Sequence, residues 1–260
     1  MFLRCAPALR GILGIIGVIA GVTVIAVLAG TVPAAAQEAR WTAHTSMRQI
    51  QDVTSSGAGS DAAASEAAIW AATTGGVFRY VVDSGEISSY TASEGLHSVQ
   101  TDAITYDPIR GVVWIGYRDG VLDRLDPQTG SVRTFRDIER AERFSSREIN
   151  TIVVRGDSVY VATSFGIVVF DPIKNEVRDT YSQLGSIPAA TPVHDVTVDP
   201  GPDGTLHLWA ATDNSVARAS MQAVNLKDPG VWTVESQGLG GRELRAIARF
   251  DGRMYVGSTL

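Results

Sequence analysis

Cysteine is almost absent from the chain, Cys5 being the single one among 260 residues. It lies ahead of a long apolar run, so cleavage after that run leaves a mature chain without a thiol. That excludes a disulfide framework, a thiolate metal site and a cysteine nucleophile. Positive charge is scarce as well. Residues 1–36 contain Arg4 and Arg10 and no acid, and without them 20 basic side chains face 28 acidic ones, a net of about −8. This balance argues against nucleic acid and anionic membrane surfaces as general partners, because phosphate-rich partners are gripped by clustered Lys and Arg. Any membrane association is left to the N-terminal segment or to partners.

The motifs of familiar enzymes are missing too. No glycine-rich loop runs into Lys-Ser/Thr, and there is no Gly-x-Ser-x-Gly elbow and no Ser-x-Asp-x-Gly-x-Thr-Trp turn of the sialidase kind. His44, His97, His194 and His207 fall at unrelated phases of the repeat described below, without the close pairing of a metal centre. Asp119 and Asp123 flank Gly120-Val121-Leu122, but two acids supply too few oxygens for a calcium ion that wants about six to eight. Asp107, Asp126, Asp171 and Asp199 each precede proline, where an Asp oxygen caps turn amides and is poorly placed for acid/base work. The residues therefore assign no catalytic group, no metal and no cofactor, and the chain reads as a non-enzyme. No low-complexity linker marks a second domain. The stretch from Ser55 to Ser65, rich in Ser, Gly and Ala, reads as a loop between two strands.

What is present is a targeting segment and a repeat. Arg4 and Arg10 precede an uncharged apolar run over 11–30, and Val32-Pro33-Ala34-Ala35-Ala36 offers small residues for cleavage before Gln37. These are the three parts of a secretory signal peptide over 1–36, although the run is also near the length of a membrane anchor. The chain is thus expected outside the inner membrane, in the periplasm or at the outer-membrane surface.

One short phrase then returns five times: Ile69-Trp70-Ala71-Ala72-Thr73, Val113-Trp114-Ile115-Gly116-Tyr117, Val159-Tyr160-Val161-Ala162-Thr163, Leu208-Trp209-Ala210-Ala211-Thr212 and Met254-Tyr255-Val256-Gly257-Ser258. The aromatics lie 44, 46, 49 and 46 residues apart, the length of one four-stranded propeller blade. The second repeat lays out the strands: Thr101–Asp107, Gly111–Tyr117, Val121–Leu125 and Ser131–Phe135. Asp-Pro turns with Gly or Asn at the last corner punctuate the strands at Asp107–Gly111, Asp126–Gly130 and Asp171–Asn175. The third and fourth repeats run over Ile149–Tyr181 and Val193–Val234, and a fifth begins at Leu244 and stops after two strands. The expected fold is all-β, a β-propeller of four-stranded antiparallel blades over 37–260, with about four full blades and part of a fifth. The phrase around Trp41 resembles the outer strand around Trp232, as in propellers whose two ends share a blade. The chain is therefore expected to be a piece of a longer protein. The five aromatics are expected to pack between blades, each burial contributing roughly 1.5–3 kcal/mol.

One insertion breaks the pattern. Residues 136–147 show helical spacing: Ile138, Ala141 and Phe144 form an apolar stripe, while Arg136, Arg140, Arg143 and Arg147 recur three and four apart. Asp137, Glu139 and Glu142 compensate that charge on a solvated helix. The sharper reading is an arginine row offered to phosphate or carboxylate groups of a glycan.

Val113–Asp123, Ala162–Asp171 with Glu176–Tyr181, and Asn225-Leu226-Lys227-Asp228 followed by Trp232 resemble the N-terminal propeller of the PorZ family, across essentially residues 40–260. Its repeats are of the two-component-regulator propeller class. The resemblance implies a surface component of type IX secretion, with a sortase-like partner and a role in binding anionic lipopolysaccharide. The family also has a second propeller and a C-terminal sorting domain, which this sequence lacks, and functions located there do not carry over. The alternative is the extracytoplasmic sensor propeller of a membrane-anchored signalling protein.

Overall fold

A computed structural model of the chain describes residues 45–57, 66–239 and 241–259. The signal segment, the strand proposed around Trp41 and most of the Ser55–Ser65 loop lie outside these residues; Ser55 and Ser56 themselves end a strand. Among the described residues no helix is long and apolar enough to cross a membrane.

The chain forms an open β-propeller of antiparallel blades. Blade 1 holds β1 (Ile50–Ser56), β2 (Ala68–Thr73), β3 (Gly76–Val81) and β4 (Ile87–Tyr90); blade 2 holds β5 (Ala103–Asp107), β6 (Val112–Gly116), β7 (Leu122–Leu125) and β8 (Val132–Phe135). Blade 3 holds β9 (Ile149–Arg155), β10 (Ser158–Thr163), β11 (Gly166–Asp171) and β12 (Glu176–Tyr181). Blade 4 holds β13 (Val193–Pro200), β14 (Leu206–Thr212), β15 (Val216–Ser220) and β16 (Thr233–Glu235), and β17 (Leu244–Phe250) pairs β18 (Arg253–Ser258) as a two-stranded sheet. Strands follow chain order within each blade, and the first strands of successive blades lie side by side, β1 on β5, β5 on β9, β9 on β13 and β13 on β17.

The recurring phrase has a physical explanation at each position. Its aromatic is buried at Trp70, Trp114, Tyr160 and Trp209. Each of the four core clusters draws its residues from two adjacent blades, as when Trp114 meets Phe135 of its own blade and Phe170 of the next. An arginine lies directly across the hairpin from three of these rings, Arg79 over Trp70, Arg124 over Trp114 and Arg218 over Trp209, at 5.5–5.7 Å. This geometry adds cation–π attraction to the burial. The closing Thr ties the hairpin that follows: Thr73, Thr163 and Thr212 donate their hydroxyls to the carbonyls of Gly76, Gly166 and Ser215 at 2.7–2.9 Å. Gly166 takes φ +131, and a Cβ there would run into the Tyr181 carbonyl oxygen, so the turn requires glycine. Tyr255 departs from its predecessors. It is 52% exposed, because among the described residues no further blade packs on its face of β18.

Asp107, Asp126 and Asp171 cap their turns as expected, each accepting backbone N–H groups two and three residues on at 2.8–3.4 Å. Asp199 differs: it lies within β13, its carboxylate accepts from Thr197, and its carbonyl accepts from the Trp209 indole.

Residues 136–147 do not form the expected helix. Arg140 N–H reaches the Arg136 carbonyl, but the bonds that follow, Ala141 on Ile138, Glu142 on Arg140 and Phe144 on Ala141, are those of successive turns and build no helical ladder. Two anchors draw the segment flat across the surface: Ile138 is buried, and Phe144 stacks on Phe165 of the β10–β11 turn at 3.9 Å. Burial of those rings outweighs the helical preference of so short a segment.

Candidate functional site

The inner strands line a polar channel. Near the starts of these strands stand Asp52, Asn150, Asp195 and Arg245, with Asp102 just ahead of β5, and Asp52, Asn150 and Asp195 tie one blade to the next. Asp52 Oδ2 accepts from Ile104 N–H of the next blade at 2.9 Å, and Asp195 Oδ2 accepts from Ile247 N–H at 2.8 Å. Asn150 donates to the Val193 carbonyl at 2.7 Å and Thr151 to that of His194 at 3.0 Å. Burial pushes the Asp52, Asp102 and Asp195 carboxyls above the usual carboxylate range. The accepted backbone amides, and Arg118 beside Asp102, pull the other way.

A cavity of about 450 Å³ opens here, lined by Asp52, Asp102, Arg118, Asn150, His194 and Arg245 among others. A second of about 410 Å³ adjoins it and shares Gln51, Asp102 and Arg118. The walls mix half-buried acids with two arginines, an arrangement suited to polar or zwitterionic groups.

The histidines that look unrelated in sequence take matching roles in space. His97, from the loop before β5, places Nε2 2.6 Å from Asp119 Oδ2 in the β6–β7 turn, with Arg136 3.3 Å from its Nδ1. His194, on β13, places Nε2 2.9 Å from Asp213 Oδ1 in the β14–β15 turn, with Arg245 3.4 Å from its Nδ1. Sequence reasoning missed this because the two histidines enter from different points of the repeat; the acid in each hairpin turn was the available signal. Asp123 is fully buried and serves as a structural hub, accepting from His97 N–H, the Tyr117 hydroxyl and the Thr134 hydroxyl at 2.6–2.8 Å. Burial and that carboxylate push the Tyr117 phenol far up.

The four arginines of the insertion part company. Arg136 pairs with Glu139 at 2.9 Å, Arg147 donates to the Phe144 carbonyl, Arg143 lies over the Phe144 ring at 4.6 Å, and Arg140 is exposed. Arg143 lines an outer groove of about 530 Å³ with Arg178, Lys227 and Asp179.

Radial four-stranded blades around a polar channel mouth define a β-propeller. The chain belongs to the PorZ N-terminal β-propeller family, described as "TSS9, PorZ, N-terminal beta-propeller domain", which matches residues 69–233. Among solved structures it is similar to PorZ of Porphyromonas gingivalis, an essential surface component of the type IX secretion system, with TM-score 0.61, 20% identity and 83% of this chain covered. The extracellular domain assigned to a hybrid two-component system of B. thetaiotaomicron is similar as well, with TM-score 0.59, 18% identity and 82% covered. The WD40 propeller of Doa1 follows at TM-score 0.57 and 10% identity, covering 83% of this chain and 63% of that one. At these identities the likenesses carry the fold alone. The chain spans 28% of the length of each of the first two. No curated protein matches it in sequence.

Proposed function

We propose that this protein is a secreted, non-enzymatic propeller module of a type IX secretion attachment complex, working at the cell surface with sortase-like protein partners and binding anionic lipopolysaccharide. The observation that carries this reading is the family match over residues 69–233. The net negative charge demands that an anionic glycan be met by a local cluster. Arg140 and Arg143, with Arg178 at the outer groove, would provide one, Lys227 there being paired with Asp179; Arg136 and Arg147 support the same segment through internal contacts. Guanidinium groups suit phosphate and carboxylate through paired N–H donors.

Binding of purified anionic lipopolysaccharide to the full chain tests the assignment, with Arg136, Arg140, Arg143 and Arg147 changed to Ala singly and together. Binding that falls several-fold and loses part of its salt dependence in the quadruple variant is the expected result. Unchanged affinity and salt dependence remove the site.

A second reading, the sensor propeller of a membrane-anchored two-component protein, is favoured by the similarity to the B. thetaiotaomicron extracellular domain. Reading the gene beyond the Leu260 codon separates the two. A second propeller and a sorting domain support secretion, and a spanning helix with a kinase supports sensing.

A further inference from the structure

Three donors from three segments converge beside the channel mouth. His194 lies on β13, Asp213 in the β14–β15 turn and Glu243 just before β17. His194 Nε2 stands 2.9 Å from Asp213 Oδ1 and 3.3 Å from Glu243 Oε1, and one ligand atom from each residue lies within 4.8 Å of the others. The imidazole is 9% exposed, against 51% and 37% for the carboxylates, so a fixed nitrogen faces two acids that open to solvent.

We propose that His194, Asp213 and Glu243 form a site for a divalent transition-metal ion of the zinc class, which would staple blade 4 to the strand pair β17–β18. Four-coordinate zinc holds N and O donors at about 2.0–2.1 Å, which sets neighbouring donors roughly 3.3 Å apart. The Glu243 distance to Nε2, 3.3 Å, has that size, and the Asp213 distance, 2.9 Å, needs to open by only a few tenths of an ångström. One imidazole with two carboxylates suits zinc better than calcium or magnesium, which favour oxygen-only shells. The backbone at His194 is held from the neighbouring blade by Thr151, which fixes where the ring starts.

Blade 2 provides an internal contrast. His97, Asp119 and Arg136 repeat the His–Asp–Arg arrangement, but Glu139 is held by Arg136 Nη1 through both oxygens at 2.9 Å and does not join the other donors. Among the described residues, only the blade 4 group brings three such donors together.

Arg245 competes with a cation for one of the three donors. Its Nη2 lies 2.7 Å from Glu243 Oε1 and its Nη1 3.4 Å from His194 Nδ1. An N–H directed at Nδ1 keeps the imidazole proton on Nε2, facing the acids. A metal on Nε2 requires that proton to sit on Nδ1 instead, and the arginine must then let go. Arg245 is 53% exposed and free to swing outward, so ion and guanidinium exclude each other.

Calorimetric titration of the full chain with Zn²⁺, and visible absorption with Co²⁺ as a spectroscopic substitute, test the site. The expected result is saturable binding of one ion, weakened at least tenfold by Asp213→Asn and by Glu243→Gln, abolished by His194→Ala, tightened by Arg245→Ala and unchanged by His97→Ala. Asp213 and Glu243 are partly exposed, so their variants keep the test valid if His194→Ala disturbs folding, which near-ultraviolet circular dichroism reports. No saturable binding in the parent, or parental binding in Glu243→Gln and Asp213→Asn, overturns the proposal.

Discussion

Blade 3 and the β17–β18 pair are written in nearly the same phrase and end in opposite states. Every residue of β10 is buried, whereas β18 alternates between exposed and half-buried, with Tyr255 open where Tyr160 is enclosed. The strands do not differ in what they offer. They differ in what lies against them, since Tyr160 shares a core cluster with Val193, Val196 and Trp232 of blade 4, while among the described residues one face of β18 meets no sheet. A blade therefore encodes half of an interface, and its neighbour supplies the rest of its stability.

The largest test of this contrast is truncation of the central aromatic. Trp114→Ala, at a fully buried ring between blades 2 and 3, is expected to cost about 3–5 kcal/mol in urea unfolding, while Tyr255→Ala costs less than about 1 kcal/mol. Similar losses at both positions would break the comparison. Next come the turn glycines. Gly166→Ala forces both an unfavourable φ and a clash with the Tyr181 carbonyl, whereas Gly252→Ala, at φ +75 with nothing near its Cβ, meets only the backbone preference. The first is expected to cost more than about 2 kcal/mol and the second about 1 kcal/mol. Smaller again is Thr163→Val, which removes a buried hairpin bond and should cost roughly 1 kcal/mol.

The least effect belongs to pH. The Asp195 carboxyl is raised by burial, so its contribution to stability is complete below the ordinary carboxylate pKa and is lost as pH rises through the raised value. The parent should thus lose ground against Asp195→Asn as pH climbs from about 4 upward, read as the difference in urea midpoints. A parent midpoint that holds level with, or gains on, that of Asp195→Asn as pH rises would count against the raised carboxyl at the hub.

Strand order, blade spacing and the inward aromatics were legible because they rest on a period, and four successive repeats each bury their ring. The Asp-Pro turns were legible for a local reason: cap and proline lie within a few residues, and only Asp199, inside a long strand, escaped that rule. The insertion misled because helical spacing is a property of residues 136–147 alone, while their course is decided by Phe165, which the sequence does not mark as a partner. The channel mouth was the least visible. Asp52 and Ile104 sit 52 residues apart, and His97 and His194 reach equivalent places from different phases, so only the packing of blade on blade brings these groups into view.

The pins at the hub join a carboxylate on one blade to a main-chain N–H on the next, at Ile104 and at Ile247. Such a receiving end is blind to sequence, since every residue except proline presents the same N–H. Positions 104 and 247 are thereby free to drift among residues that suit the core, and at these two joints the burden of keeping the axle falls on the aspartates.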